Sequence, residues 1–313
     1  MKIVFLDKMT VGDVPNLDKI RSLGELETYE ITEKTETINR SKDADIIITN
    51  KVVIDNTIID ACPKLKLICI AATGMNNVDL DHAKSKKIQV KNVTDYSTSS
   101  VTQSTFAMIF YLINQSRYFD DYVKSGNYQE SPIFTHLGKE YIEIKNKTFG
   151  IIGMGAIGQS VARIATAFGC KVVYYSTSGK NTKQSYPSLE LKDLLQQADI
   201  ISIHAPLNNL TKDLIKYEEM KLMKESAFLL NMGRGGIVNE ADLARALNEN
   251  RITGAGLDVM EKEPIDPANP LFNVIDKSKI FITPHIAWAS KEARELLIEK
   301  VYDNIVEFLD EVP

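Results

Sequence analysis

Phe149-Gly150-Ile151-Ile152-Gly153-Met154-Gly155-Ala156-Ile157-Gly158 sets the architecture of this chain. An apolar strand runs straight into G-x-G-x-x-G. Val161, Ile164, Ala165 and Phe168 then recur at helical spacing, and Gly169 stands where helices commonly end on a left-handed residue. In such a strand–turn–helix, Gly153 allows the tight turn, Gly155 lets a pyrophosphate approach the backbone, and Gly158 lets the helix pack closely on the strand. The first helical residues, Ala156 and Ile157, would present free N–H groups and the positive end of the helix dipole to that phosphate. The run therefore predicts dinucleotide binding; a glycine-rich turn without a ligand is the alternative.

The next strand of such a unit normally ends in an acid that binds the adenosine ribose. Here it reads Val172-Val173-Tyr174-Tyr175-Ser176-Thr177-Ser178-Gly179-Lys180, with Ser176 in the acid's place. No carboxylate stands there to repel a 2′-phosphate, and Ser176, Thr177, Ser178 and Lys180 can donate to one. Two cofactor readings stay open: NADPH, alone or beside NADH, or NADH alone with Ser176 on the ribose.

Working outward, short apolar runs alternate with helical patterns along the whole chain. Strands are expected at 3–6, 46–49, 67–71 and 88–93, with a helix at 56–62 among them. A second series is expected at 149–152, 172–175, 200–203, 228–230, 255–259 and 280–283. The runs are apolar throughout rather than alternating, as in parallel strands covered on both faces by crossover helices. Helical spacing also marks 99–124 and 291–309. The fold class is α/β, with two open parallel-sheet domains bridged by long helices.

Length and charge agree with that reading. The chain has 313 residues, two domains' worth at roughly 100–200 residues each. With 37 Lys and Arg against 42 Asp and Glu, it offers no broad attraction to nucleic acid or anionic lipid. Cys62, Cys69 and Cys170 form no C-x-x-C pair, and His82, His136, His204 and His285 lie too far apart for metal-binding spacing, so buried reduced thiols and no metal are expected. The N-terminal apolar run is too short for a signal peptide, and the longest apolar run, 106–113, is too short to span a bilayer. A cytoplasmic protein is expected.

Four further segments fall at or just past predicted strand ends, the edge where open α/β sheets bind ligands. They are His204-Ala205-Pro206-Leu207, Asn231-Met232-Gly233-Arg234-Gly235-Gly236, Asp258-Val259-Met260-Glu261-Lys262-Glu263-Pro264 and Pro284-His285-Ile286-Ala287-Trp288. Any one of their charged residues alone would read as a surface arginine, a solvated acid or a strand-end histidine. In this order, across its whole length, the sequence resembles the D-isomer-specific 2-hydroxyacid dehydrogenases, closest to their glycerate dehydrogenase (hydroxypyruvate reductase) branch.

The resemblance implies a Rossmann coenzyme domain, 99–286, inserted into a flavodoxin-like substrate domain, 1–98 and 287–313. It makes Arg234, Glu263 and His285 the catalytic residues, acting on a 2-keto acid with NAD or NADP. A guanidinium can fork onto a carboxylate. An imidazole can give and take the proton, and a carboxylate at its far nitrogen fixes the ring and favours its charged form. Cofactor contacts are expected from Thr105, Gly153, Gly155, Ala156, Ile157, Gly158, Ser176, His204, Ala205, Pro206, Met232, Gly233, Asp258 and His285. Ala71-Ala72-Thr73-Gly74-Met75-Asn76-Asn77-Val78-Asp79 would bind the substrate carboxylate through Thr73, Gly74 and Met75, facing Arg234 across a closing cleft.

Trp288 beside His285 would narrow the pocket, which favours hydroxypyruvate or glyoxylate over bulky keto acids; a packing role for Trp288 is the alternative. The helix after the linker and the loop 128–141 resemble the region through which relatives dimerise, so a homodimer is expected. Competing readings are a D-lactate-type enzyme, a dinucleotide-sensing protein of the same fold, and formate or phosphite oxidation.

Overall fold

The computed structural model describes residues 1–311. The chain divides into two units: Met1–Ser97 with the segment from Ala289 onwards, and Thr98–Trp288.

The first unit holds β1 (Lys2–Phe5), β2 (Glu25–Thr28), β3 (Ile46–Thr49), β4 (Leu67–Ile70) and β5 (Gln89–Lys91). All pair in parallel in the order β2-β1-β3-β4-β5, the flavodoxin order. β3 and β4 are buried along their whole length, and Ile47, Ile54, Ile58, Ile68 and Ile70 share one core cluster. β2 is the strand missing from the sequence reading. Its Glu-Leu-Glu-Thr is partly exposed at the sheet edge, so it carries no apolar run to betray it.

The second unit holds β6 (Thr148–Ile152), β7 (Lys171–Tyr175), β8 (Ile200–Ile203), β9 (Phe228–Asn231), β10 (Gly254–Leu257) and β11 (Ile280–Ile282). They form one parallel sheet ordered β11-β10-β9-β8-β6-β7. Beyond β7, a lone parallel bridge between Tyr174 and Ser188 stands where the Rossmann order has a further strand. Successive residues feed opposite faces: Ile151, Ile200 and Leu230 enter one core cluster, Ile152, Ile201 and Leu229 the other. That double coverage is why these strands read as unbroken apolar runs.

The stretch expected to be helical at 99–124 is two helices, Thr98–Ile113 and Ser116–Lys124, broken where Gln115 turns left-handed at φ 51°. The first packs on the Ala156–Ala167 helix, with the Phe106 ring 6.0 Å from Phe149 and 5.7 Å from Phe168. Among the described residues no helix is long and apolar enough to cross a membrane. Cys62, Cys69 and Cys170 are all buried and unbridged.

Candidate active site

In the second unit β6, β8, β9, β10 and β11 lie side by side and parallel, so the segments leaving them share the sheet's C-terminal edge. The glycine loop leaves β6 where the sheet order reverses, the usual ligand crevice of such folds. Gly153 has φ +95°, and a Cβ there would stand 2.9 Å from the His204 carbonyl oxygen. At Gly158 a Cβ would meet the Gly153 carbonyl oxygen at 2.2 Å, so the helix approaches its strand as the motif requires. Gly155 is the N-cap of the Ala156–Ala167 helix. No side chain caps it, and the space beside its Cα is open. An open cradle at an uncapped helix N-terminus fits a pyrophosphate.

Two neighbouring features fit the rest of a dinucleotide. Ser176 is buried at the end of β7, and its Oγ accepts from Asn181 N at 3.1 Å. Asn181 Nδ2 donates to the Met154 carbonyl at 2.7 Å, tying the loop after β7 to the glycine loop. No Asp or Glu occurs from Ser176 through Leu189. His204, just past the end of β8, pairs Nε2 with Ser202 Oγ at 2.9 Å, while its Nδ1 is buried without a partner among the described residues. Burial pushes this imidazole down to about 3, so it is neutral, with one polar atom left for a ligand to satisfy. Ala205 and Met232 are buried, and Pro206 accepts from Thr211 Oγ1 at 2.6 Å. Gly233 packs so near Ala205 that a Cβ would come within 2.6 Å of its carbonyl oxygen.

Arg234 follows β9 on a turn held by Asn231, the first residue of its run, for which no role was expected. Asn231 Oδ1 accepts from Gly233 N at 3.1 Å and Nδ2 donates to the Arg234 carbonyl at 2.9 Å. The Arg234 side chain is exposed; Nη1 donates to the Gly233 carbonyl at 2.8 Å, and no carboxylate pairs with it among the described residues.

His285 and Glu263 meet: Nδ1 lies 2.7 Å from Glu263 Oε2. Glu263 Oε1 accepts from Met260 N at 3.0 Å. His285 sits in a turn at φ +55°, with its N–H on the Asp258 carbonyl at 2.8 Å.

Two of the expected cofactor contacts have partners within the fold. Asp258 commits its carboxylate to that turn: Oδ1 accepts from Thr283 Oγ1 at 2.6 Å and Ile286 N at 2.9 Å, Oδ2 from Ala287 N at 2.9 Å. Burial pushes its pKa up, against the pull of those bonds and of His285. Asp258 therefore shapes the His285 turn. Thr105 is fully buried, and its hydroxyl donates to the Val101 carbonyl at 2.7 Å. Trp288 packs against one core cluster of the second unit.

In the first unit, the loop after β4 carries Thr73, Gly74 and Met75. Thr73 Oγ1 donates to the Val93 carbonyl at 3.0 Å, and Met75 packs against the unit's core. The backbone N–H groups of these three residues donate to nothing among the described residues. Free consecutive N–H groups suit an anion. No three His, Cys, Asp or Glu side chains among the described residues gather where they could hold a metal ion.

A Rossmann sheet with an open phosphate cradle, and an imidazole–carboxylate pair on the same sheet edge, defines a dinucleotide-dependent oxidoreductase. A profile described as D-isomer specific 2-hydroxyacid dehydrogenase, NAD binding domain, matches residues 106–287. A hydroxypyruvate reductase of Blautia hydrogenotrophica is 36% identical, covering 100% of this chain and 98% of its own. A glycerate dehydrogenase of Methylorubrum extorquens is 35% identical, covering 98% of this chain and 96% of its own. A solved acyclic imino acid reductase in complex with NADPH and D-Arg superposes with a TM-score of 0.87 at 32% identity, covering 100% of this chain and 98% of that one. The chain belongs to the D-isomer specific 2-hydroxyacid dehydrogenase family, and its second unit is the NAD-binding domain.

Proposed function

We propose that this enzyme reduces a small polar 2-keto acid, hydroxypyruvate or glyoxylate, to D-glycerate or glycolate, and catalyses the reverse oxidation. The observation that carries this reading is the 2.7 Å contact between His285 Nδ1 and Glu263 Oε2 on the edge that also bears the glycine loop. Bound NADH or NADPH supplies the hydride. Glu263 at Nδ1 leaves Nε2 of His285 to deliver the proton that the keto oxygen must gain, and to take it back in oxidation. Arg234, without an acidic partner among the described residues, forks onto the substrate carboxylate and keto oxygen and stabilises the charge developing there. Thr73, Gly74 and Met75 offer backbone N–H groups to the substrate carboxylate. Met232, Gly233, Ala205, Pro206 and His204 line the cofactor, with His204 Nδ1 gaining the partner it lacks.

The acid-free segment from Ser176 supports use of NADPH beside NADH. The decisive assay follows loss of reduced-nicotinamide absorbance with each cofactor against hydroxypyruvate, glyoxylate, pyruvate and phenylpyruvate. Hydroxypyruvate or glyoxylate should give the highest kcat/KM; faster turnover of phenylpyruvate overturns the substrate choice. NADH binding at least ~10-fold tighter than NADPH, about 1.4 kcal/mol, removes the NADPH reading.

The family resemblance and one surface feature support a homodimer. Val123, Ile133, Phe134, Leu137 and Tyr141 are exposed within a short stretch, Phe134 to 90%. Clustered apolar exposure of this kind marks association surfaces. Light scattering on the purified chain tests it, and a monomer at micromolar concentration rejects it. Three buried thiols without a disulfide fit a cytoplasmic location.

A further inference from the structure

Glu240 is the first residue of the Glu240–Asn248 helix, and it is only 6% exposed. A carboxylate buried this deeply usually has a cation beside it. Glu240 has no ion pair among the described residues. Both oxygens are instead taken by N–H donors: Oε1 accepts from Glu261 N at 2.6 Å, and Oε2 from Asn269 Nδ2 at 2.6 Å. Asn269 is itself buried and fixed, its Oδ1 accepting from Leu271 N at 2.9 Å. The helix N-terminus on which Glu240 stands favours a negative charge there.

The two donors lie on either side of Glu263 in the sequence, so the Glu240 carboxylate fastens both ends of the loop that carries it. The loop is blocked from another direction as well. A Cβ at Gly235 would stand 1.8 Å from the Met260 carbonyl oxygen and 2.5 Å from Glu261 N. Backbone is thus pressed on backbone just where Glu240 takes hold, beside the residue whose N–H binds Glu263 Oε1. Glu263 itself is an exposed residue.

We propose that Glu240 is a positioning residue for the reaction: it anchors the 261–269 loop and so holds Glu263 against His285. The inference rests on the reading of Glu263 and His285 as the proton-transfer pair. The chemistry requires a carboxylate. Two donors arrive, one at each oxygen, and a glutamine of the same shape would turn its own NH2 towards one of them. Glu240→Gln therefore unfastens one end of the loop while leaving the packing volume unchanged.

The test uses the full chain with Glu240→Gln, Asn269→Ala and Glu263→Gln made in parallel. Asn269→Ala keeps the Glu240 charge and removes the other anchor, which covers the case in which Glu240→Gln does not fold. Turnover of glyoxylate and hydroxypyruvate, NADH affinity, melting temperature and the NMR titration midpoint of the His285 imidazole are measured for each. Glu240→Gln should lower kcat about tenfold, the loss expected from one charge-assisted hydrogen bond, with KM and NADH affinity changed less than about twofold. The His285 midpoint should move in the same direction as in Glu263→Gln and by a smaller amount, and Asn269→Ala should follow. A lower melting temperature in both anchor variants with an unmoved midpoint, while Glu263→Gln moves it, overturns the positioning role and leaves Glu240 a stabilising residue. An unmoved midpoint in Glu263→Gln itself removes the proton-transfer reading, and this inference with it.

Discussion

Glu263 Oε2 stands 2.7 Å from His285 Nδ1, while the other carboxylate oxygen of Glu263 is held by Met260 N. One oxygen thus anchors the acid and the other orients the ring. In reduction the imidazole must carry a proton, so activity falls as pH rises through its midpoint. Glu263→Gln withdraws the negative charge that favours the protonated ring. The alkaline limb of kcat/KM for keto acid reduction should then move to lower pH. His285→Ala should lower kcat by roughly 10²–10⁴ with NADH affinity kept, the usual weight of a general acid. A pH–rate profile that Glu263→Gln leaves in place contradicts the coupling.

Arg234 is exposed and pairs with no acid among the described residues, on a turn fastened by Asn231. Lysine preserves the charge and loses the fork. Arg234→Lys should cost about 1.5–3 kcal/mol, or ~10–150-fold in kcat/KM for the keto acid, as expected for hydrogen bonds to a charged group. NADH affinity should hold. Steady-state kinetics with a separate cofactor titration gives both numbers, and an equal loss in each would place Arg234 at the cofactor instead.

Gly155 and Gly158 separate folding from binding. Methyl groups at the two positions meet very different surroundings: open space at Gly155, the Gly153 carbonyl oxygen at 2.2 Å for Gly158. Gly155→Ala should leave stability within about 1 kcal/mol, the size of an N-cap change, yet weaken NADH binding at least ~10-fold by filling the phosphate cradle. Gly158→Ala should lower the melting temperature as well. Isothermal titration beside thermal unfolding distinguishes them; unchanged NADH affinity in Gly155→Ala sinks the cradle.

The glycine loop could be read from sequence because each step is local: one strand, one turn and one helix, each forced by sterics within about ten residues. Arg234, Glu263 and His285 lie at strand ends beside glycine and proline, but their roles come from the ordered family resemblance and not from any one of these positions. Other placements were not legible because partners distant in the chain decide them. Asp258 stands at the end of β10, and its partners Thr283, Ile286 and Ala287 lie some twenty-five residues on, past the end of β11. Glu240 is one more acid at a helix start until Glu261 and Asn269 fold onto it. β2 went unseen because edge pairing with β1, and no pattern of its own, makes it a strand.

His204 makes an acid-stability prediction. Burial lowers its pKa from 6.5 to about 3, so the unfolded chain takes up a proton below about pH 6.5 that the folded chain refuses. The stability from this neutral imidazole is whole above that pH and is lost as pH falls towards about 3, at up to about 1.4 kcal/mol per pH unit. His204→Asn removes the titrating group. Its unfolding free energy should fall less steeply between pH 6.5 and 4 than that of the parent chain, in urea titrations at several pH values. Parallel slopes would mean that His204 takes up its proton in the fold after all.

Asp7 sets the opposite problem in the first unit. Its carboxylate is 4% exposed and accepts from three successive N–H groups: Asn50 at 2.9 Å, Lys51 at 2.6 Å and Val52 at 3.2 Å. These donors favour the charged form, and burial opposes it more strongly, so its pKa lies above the ordinary aspartate value. A carboxyl whose pKa is raised by folding adds stability below about pH 3.8, and that share is lost as pH rises through the folded value. Asp7→Asn leaves at least one donor facing an NH2, at about 1–3 kcal/mol. Because asparagine does not titrate, the gap between parent and variant should be larger at pH 4 than at pH 7. If the gap instead widens towards neutrality, the three backbone donors outweigh the cost of the buried charge, and the raised pKa is wrong in sign.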